Sequence, residues 1–337
     1  MKRERIMVLM HEDLVPPDHV EGPRPTNEPE WQTEYDVVST LRSNGHEVLK
    51  LGINEEIAPI RRAIQSWKPT LAFNLLEEFR GSCLYDQHVV SYLELLRMPY
   101  SGCNPRGLTI ARDKALSKKI LNYHRVAVPK FFVVPMGRKI RLPKHLDFPL
   151  IVKSLVADAS LGIAQASVVD SFDKLQERVE FIHTRLETDA IVEEYIDGRE
   201  LYVGVMGNSR LTLLPTWELN LQNLPSGANR IATEKVKWDP GYRKKHKIVW
   251  QKAELDGDVD NRIKKLSGRI YRRLGLSGYA RLDFRLSATG HPYLIEANPN
   301  PDISRNGEFA ESAAVHGVNY SELLNRLVRK SVKRRVV

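Results

Sequence analysis

Asp283, Glu296 and Asn298 are the residues of this chain whose types and spacing most directly suggest chemistry. They lie in RLDFRLSATGHPYLIEANPN, residues 281–300, where Asp283 sits between Leu282 and Phe284 and Glu296 follows Tyr293, Leu294 and Ile295. Acids set in apolar strands need a cation, because a buried, unpaired carboxylate is costly. Glu296 and Asn298, two apart, share a strand face, and residues 287–290 read as the turn that folds Asp283 back towards them. Oxygen-only ligands on a hairpin suit magnesium. The competing reading is a pair of acids bonded to Arg281 and Arg285.

Two further clusters could meet a nucleotide. Residues 149–153, PLIVK, form an apolar strand ending in Lys153, and the small-residue loop after it runs to Gly162. Such a loop brings backbone N–H groups and one ammonium onto a phosphate chain. Its plainer reading is an ordinary strand connection with a surface lysine. Residues 191–200, IVEEYIDGRE, run from an apolar strand into an acidic turn that offers backbone groups to a base and carboxylates to hydroxyls. Its plainer reading is a charged turn with Asp197 and Gly198 at the tip.

These segments need elements to position them. Residues 1–112 alternate strands (6–10, 47–51, 70–75) with helices (about 30–43, 57–67, 86–97), which predicts a parallel sheet covered on both faces. A Pro-rich loop holding Pro16, Pro17, Pro23, Pro25 and Pro29 follows the first strand. From residue 113 a basic helix to 124 leads to strands at 130–134, 150–154, 164–168 and 190–195 and a helix at 171–184. The remainder predicts strands at 200–204 and 210–214, a polar and partly mobile insert at 221–257, a helix at 260–274, the hairpin, and one helix over 308–330.

With 337 residues, 42% of them hydrophobic and 28% charged, the chain fits two or three globular lobes. No apolar run spans a bilayer, and residues 6–10 are too short for a signal core, so no membrane role and a cytoplasmic location are expected. Cys83 and Cys103 lack metal-ligand spacing and are expected to stay reduced. The net charge of +9 resides partly in basic runs at 243–247 and 329–335, which read as solvated; aromatics are not interleaved with them, which argues against nucleic acid.

Taken in order, the clusters resemble the ATP-grasp superfamily, in particular its D-alanine-D-alanine ligase branch. LELLRMPYSG at 93–102 and ARDKALSKKIL at 111–121 resemble that family's junction between first and second domains, and FPLIVKS, AIVEEYIDGREL, GYARLDFRL and YLIEANPNP follow in its order. The resemblance implies an α/β (α+β) ATP-grasp fold: an amino-terminal α/β substrate domain over 1–112, a central lobe with a phosphate lid over 113–197, and a lobe over 198–337 carrying metal ligands, the two lobes clasping ATP.

It implies an ADP-forming carboxylate-amine ligase that uses ATP and two magnesium ions on small-molecule substrates, as a homodimer. Lys114 and Lys153 would bind the phosphates under a lid at 157–162 that includes Ala159, Ser160 and Gly162. Glu193, Glu194 and Ile196 would hold adenine, Glu200 the ribose, and Asp283, Glu296 and Asn298 the metal, with Glu296 bridging. Arg281 and Lys237 would face the transferred phosphate, with Lys235 the alternative to Lys237. Phosphoryl transfer to a carboxylate gives an acyl phosphate that an amine attacks; cations offset the repulsion between anions, and a lid excludes water.

Three segments depart from that family. Its glycine-rich turn after the first strand is replaced by HEDLVPP at 11–17, where Glu12 is the candidate substitute. Its histidine-bearing segment is replaced by NLLEEFRG at 74–81, which includes Glu77. After the hairpin, Asp302 stands where a glycine would lie. An acid there repels a carboxylate-bearing acceptor unless Arg305 neutralises it, and otherwise suits a cationic amine. Glu12, Glu77, Asp302 and Arg305 are therefore the substrate candidates, for substrates other than two D-alanines. The alternatives are a small-molecule or carboxylate kinase and a non-catalytic nucleotide-binding module. Trp217 and Trp238 are placed near the substrate pocket.

Overall fold

The computed structural model describes residues 2–20, 29–157 and 160–332. Three sheets follow one another along the chain. The first part comprises β1 (Arg5–His11), α1 (Gln32–Ser43), β2 (Glu47–Ile53), α2 (Ala58–Trp67), β3 (Leu71–Asn74), α3 (Asp86–Leu95) and α4 (Pro105–Arg112). β1 is the middle strand, parallel to both neighbours, and its IMVLM core has no exposure, as a strand covered on both faces requires.

The second part comprises α5 (Lys114–Tyr123), β4 (Phe131–Val134), β5 (Leu150–Ser154), β6 (Val168–Val169), α6 (Phe172–Arg185) and β7 (Ala190–Glu194). Its antiparallel sheet, in the order β4-β7-β5-β6, has a separate core of Leu150, Val152, Leu175, Val179, Ile182 and Val192.

The third part comprises β8 (Arg199–Gly207), β9 (Leu211–Leu213), β10 (Trp217–Asn220), α7 (Glu234–Trp238), α8 (Pro240–Lys245), β11 (Val249–Lys252), α9 (Gly257–Arg273), β12 (Tyr279–Leu286), β13 (Pro292–Pro299), α10 (Glu308–Val315) and α11 (Tyr320–Val332). Its strand order is β11-β10-β8-β12-β13, with β9 beside β8. Its apolar faces merge with those of the first part: Val37, Leu41 and Phe73 share a core with Phe309, Leu323 and Leu327. No helix among the described residues is long and apolar enough to cross a membrane.

The mixed α/β architecture agrees with the sequence reading, and four local features correct it. Residues 221–257 are not a loose insert: α7, α8 and β11 close a small core of Trp217, Leu219, Leu221, Val236 and Ile248. The single helix expected over 308–330 divides into α10 and α11, because Gly317 takes a left-handed φ of 83° and the Asn319 side chain caps the next helix by accepting from Glu322 N at 2.9 Å. α4 was not anticipated, although Asn104 before Pro105 is a helix-start signal, and Asn104 Oδ1 accepts from Gly107 N at 2.8 Å. The strand expected at 164–168 is a turn of 3-10 helix, 165–167, leading into β6. Pro23, Pro25 and the basic tail from Lys333 lie outside the described residues.

Candidate active site

β12 sends alternate residues to two environments. Ala280, Leu282, Phe284 and Leu286 enter the large apolar core, which leaves Tyr279, Arg281, Asp283 and Arg285 on the opposite face. Across the hairpin Glu296 stands opposite Asp283 and Asn298 opposite Arg281. The three candidate metal ligands therefore share one patch, as their spacing predicts.

Their present partners are protein cations. Arg281 Nε and Nη2 donate to Asp283 Oδ1 and Oδ2 at 2.8 and 3.0 Å, and Asn298 Nδ2 donates to Oδ2 at 2.9 Å. Burial raises the Asp283 carboxyl, and Arg281 pulls against it without reversing the shift. Arg281 also bonds Glu308 and lies 5.1 Å from the Tyr202 ring centre. Arg285 does not pair with either hairpin acid: it meets Glu200 Oε2 at 2.9 Å and donates to the Gly198 carbonyl at 2.9 Å. Glu296 instead pairs with Lys114, Nζ to Oε1 at 2.8 Å. Burial would raise Glu296, but Lys114, then Lys153 and Lys237, bring it down from 4.5 to about 2.

Lys114 opens α5, where the helix dipole disfavours a cation; Glu296 and the Ala157 carbonyl, which accepts from Nζ at 2.7 Å, offset that. One turn on, Lys118 is buried and contacts Glu193 Oε1 at 3.0 Å, while Lys153 donates to Glu193 Oε2 at 3.0 Å. Burial works to raise the Glu193 carboxyl, but the two ammonium groups outweigh it and hold the acid below its ordinary value. Lys118, which also bonds the Ile295 carbonyl, was missed from sequence although its spacing of four from Lys114 places both on one helix face. The Glu193 side chain, expected at adenine, is thus engaged inside the lobe. Glu194, Tyr195 and Ile196 remain partly exposed at the turn, and Glu200 accepts from Tyr202 Oη at 2.7 Å.

The expected lid bends through left-handed residues Ser160 and Gly162, with φ of 60° and 69°. Gly162 N donates to Glu234 Oε2 at 3.2 Å, and Gln165 exchanges bonds with the Asn229 backbone at 3.0 and 2.7 Å. The loop therefore rests on the segment once read as a mobile insert. Ala159 lies outside the described residues.

That segment also separates the two lysine candidates. Lys237 is half-buried and its charge acts on both Asp283 and Glu296, whereas Lys235 is exposed. Trp217, with Tyr202, Gly204, Arg281, Glu308 and Phe309, lines a cavity of about 10 Å³, and its Nε1 is buried without a hydrogen-bond partner. Trp238 is 66% exposed.

The substrate candidates divide. Glu12 is exposed and accepts from Asn54 Nδ2 at 3.2 Å, on the β2 side. Arg305 does not neutralise Asp302: its backbone N donates to Asp36 Oδ2 at 3.0 Å, its Nη2 to Thr40 Oγ1 at 2.8 Å, and its guanidinium stacks on Tyr320. Asp302 accepts from Thr33 Oγ1 at 3.1 Å and from Ser304 N and Oγ at 2.8 Å. Glu77 is exposed, and its acid is raised by desolvation and by Asp302, Asp86 and Glu78 against the pull of Arg112.

Among the described residues no three His, Cys, Asp or Glu side chains gather as a metal cluster. The hairpin offers two carboxylates and one carboxamide, all hard oxygen donors. That set fits magnesium, which commonly takes one or two carboxylates and completes its shell with water and substrate phosphates.

The family model described as D-ala D-ala ligase C-terminus matches residues 120–329. An uncharacterized protein of Sinorhizobium fredii, y4sG, is 28% identical over 305 residues, covering 89% of this chain and 87% of that protein. D-alanine–D-alanine ligase A of Bacillus cereus is 28% identical over 303 residues, covering 89% and 92%. The structure of D-alanine–D-alanine ligase from Bacillus anthracis complexed with ATP matches with a TM-score of 0.75 at 23% identity over 98% of each chain. With its model spanning more than half of the residues, the chain belongs to the D-alanine–D-alanine ligase family and has the ATP-grasp fold.

Proposed function

We propose that this protein is an ATP-dependent carboxylate-amine ligase that forms an amide through an acyl phosphate and releases ADP and phosphate. The observation that carries the reading is the convergence of Lys114, Lys153, Lys237 and Arg281 on Asp283, Glu296 and Asn298. Four cations around two acids and an amide suit a site where two anions must meet.

A carboxylate oxygen of the first substrate attacks the γ-phosphorus as ADP leaves. The amine nitrogen of the second then attacks the acyl carbon, phosphate departs with the oxygen it gained, and the amine gives up its surplus protons to solvent. Lys114 and Lys153 hold the phosphate chain. Arg281 and Lys237 face the transferring group, where fixed charges need no reorganisation as the transition state forms. The turn at 194–196 takes the adenine edge and Glu200 the ribose. Loop 157–162 covers the phosphates and keeps water from the acyl phosphate. Magnesium, held by Asp283, Glu296 and Asn298, would neutralise charge on the phosphates.

The substrates are other than two D-alanines, a reading supported by Asp302, an acid with no paired cation among the described residues at the expected acceptor side. The proposal includes three units over 1–112, 113–197 and 198–337, supported by the separate core of the central sheet. It also includes a cytoplasmic homodimer through the first unit, where Leu84, Tyr85 and Leu95 are 42%, 45% and 81% exposed. An ADP-release screen of carboxylates against amines, with the product identified by mass, tests the reading. An amide is expected, and its absence with every pair contradicts the ligase.

A further inference from the structure

Beyond Arg281, at the amino-terminal end of the β12 site face, Asn300 N donates to the Tyr279 carbonyl at 3.3 Å and Thr33 Oγ1 donates to Asp302 Oδ1 at 3.1 Å, which brings Asp302 beside Glu34, on which the charge of Glu77 also acts. Glu34 comes from α1, Glu77 from the segment after β3, and Asp302 from the turn after β13. Glu34 is only 4% exposed, and its Oε2 is buried without a hydrogen-bond partner. Desolvation, reinforced by Glu77 and Asp302, raises its acid from 4.5 to about 7. Glu77 and Asp302 are open to solvent, and both also act on the buried Tyr279 hydroxyl. The nearby cations are engaged: Arg112 lies 2.7 Å from Asp86, and Arg305 is held by Asp36 and Thr40. Converging acids with an orphaned oxygen oppose folding, and a bound cation is the missing partner.

We propose that Glu34, Glu77 and Asp302 form a receptor for an ammonium or guanidinium group of the amine substrate, distinct from the nitrogen that forms the new bond. This deepens the ligase reading and rests on it. The distinction between two nitrogens follows from acid-base chemistry. Carboxylates around an ammonium stabilise its charged form, so a nitrogen held there keeps its proton and has no lone pair for attack. The reacting nitrogen must stand elsewhere, at the acyl group near Arg281 and Asp283. Tyr279 precedes Arg281 by two residues on the same strand face, so the acids lie beyond Arg281 from the hairpin acids Asp283 and Glu296. The acceptor class is an amine that carries a second cationic group, such as a diamine or a basic amino acid.

The test uses the full-length protein with saturating ATP and magnesium, and compares calorimetric binding of diaminobutane with butylamine and of lysine with norleucine. The two-nitrogen member of each pair is expected to bind at least about tenfold more tightly. Glu34→Gln and Asp302→Asn are each expected to erase that preference and leave ATP affinity unchanged. Equal affinity within each pair, binding of none of the four, or a preference that survives both substitutions overturns the proposal. Product mass separates this outcome from that of the ligase reading. A neutral monoamine joined as fast as a diamine refutes the acid receptor and retains the ligase. Acid-dependent diamine binding with no amide from any carboxylate supports the receptor and refutes the ligase.

Discussion

Lys114 Nζ stands 2.8 Å from Glu296 Oε1, so the cation proposed for phosphate and the acid proposed for metal neutralise each other. This pair keeps two opposite charges in place at a site that must accept both an anion and a cation. Its consequence would be mutual: a cation held by Glu296 would leave Lys114 free for phosphate, and phosphate held by Lys114 would leave Glu296 free for a cation.

Glu296→Gln removes the acid that repels phosphate and frees Lys114. In chelator, the variant should bind ATP about tenfold more tightly than the wild type, measured by calorimetry. With magnesium present its turnover should fall by about 100-fold. Weaker ATP binding in chelator would show that the Lys114–Glu296 pair does not compete with phosphate.

Lys237 and Lys235 make a paired comparison within one short helix. Lys237 acts on Asp283 and Glu296, so Lys237→Ala should lower kcat by roughly 100-fold while Lys235→Ala stays within about threefold of the wild type. Steady-state ADP release measures both. Equal losses would remove Lys237 from the site.

Lys118 and Lys153 compensate one buried carboxylate, Glu193. Burial pulls the Lys118 ammonium below the ordinary lysine value against the attraction of Glu193, which marks the cost of keeping it there. Lys118→Met leaves Glu193 with one partner and should destabilise the fold by about 3–5 kcal/mol in denaturant unfolding. A change under about 1 kcal/mol would mean that Lys153 alone suffices.

Glu34 gives a pH prediction with a definite sign. Its folded value of about 7 lies above the ordinary 4.5, so the folded state favours the protonated form. The resulting penalty on folding is absent below pH 4.5, grows as pH rises towards 7, and is constant above it. Glu34→Gln should therefore stabilise the protein by an amount on the order of a few kcal/mol at pH 8, and change little at pH 4. Unfolding curves at the two pH values decide it. Retaining an acid that weakens the fold is what a binding role predicts.

The hairpin and the phosphate strand were legible because their signals are local. A carboxylate in an apolar strand, two side chains at a spacing of two, and a lysine closing a strand are read over a few residues. Glu34 was not legible: in sequence it is one polar residue on an amphipathic helix, and its burial appears only when α1 meets the segment after β13. The bond from the Arg305 guanidinium to Thr40 Oγ1, 265 residues away, turns that cation from Asp302 in the same non-local way. Residues 221–257 looked loose because their apolar residues are sparse, yet Trp217, Val236 and Ile248 suffice to close a small core. The single helix expected over 308–330 breaks at Gly317, whose left-handed φ of 83° no helical periodicity reveals.

The central claim is that a carboxylate is activated as an acyl phosphate before amide formation. Once the screen has identified a substrate pair, the carboxylate is labelled with heavy oxygen and the released phosphate is analysed by mass. The account predicts that one labelled oxygen appears in phosphate for each amide formed, with the remaining label in the amide carbonyl. Amide formation with one labelled oxygen kept in the amide carbonyl and the other released to water, none of it in phosphate, would contradict it.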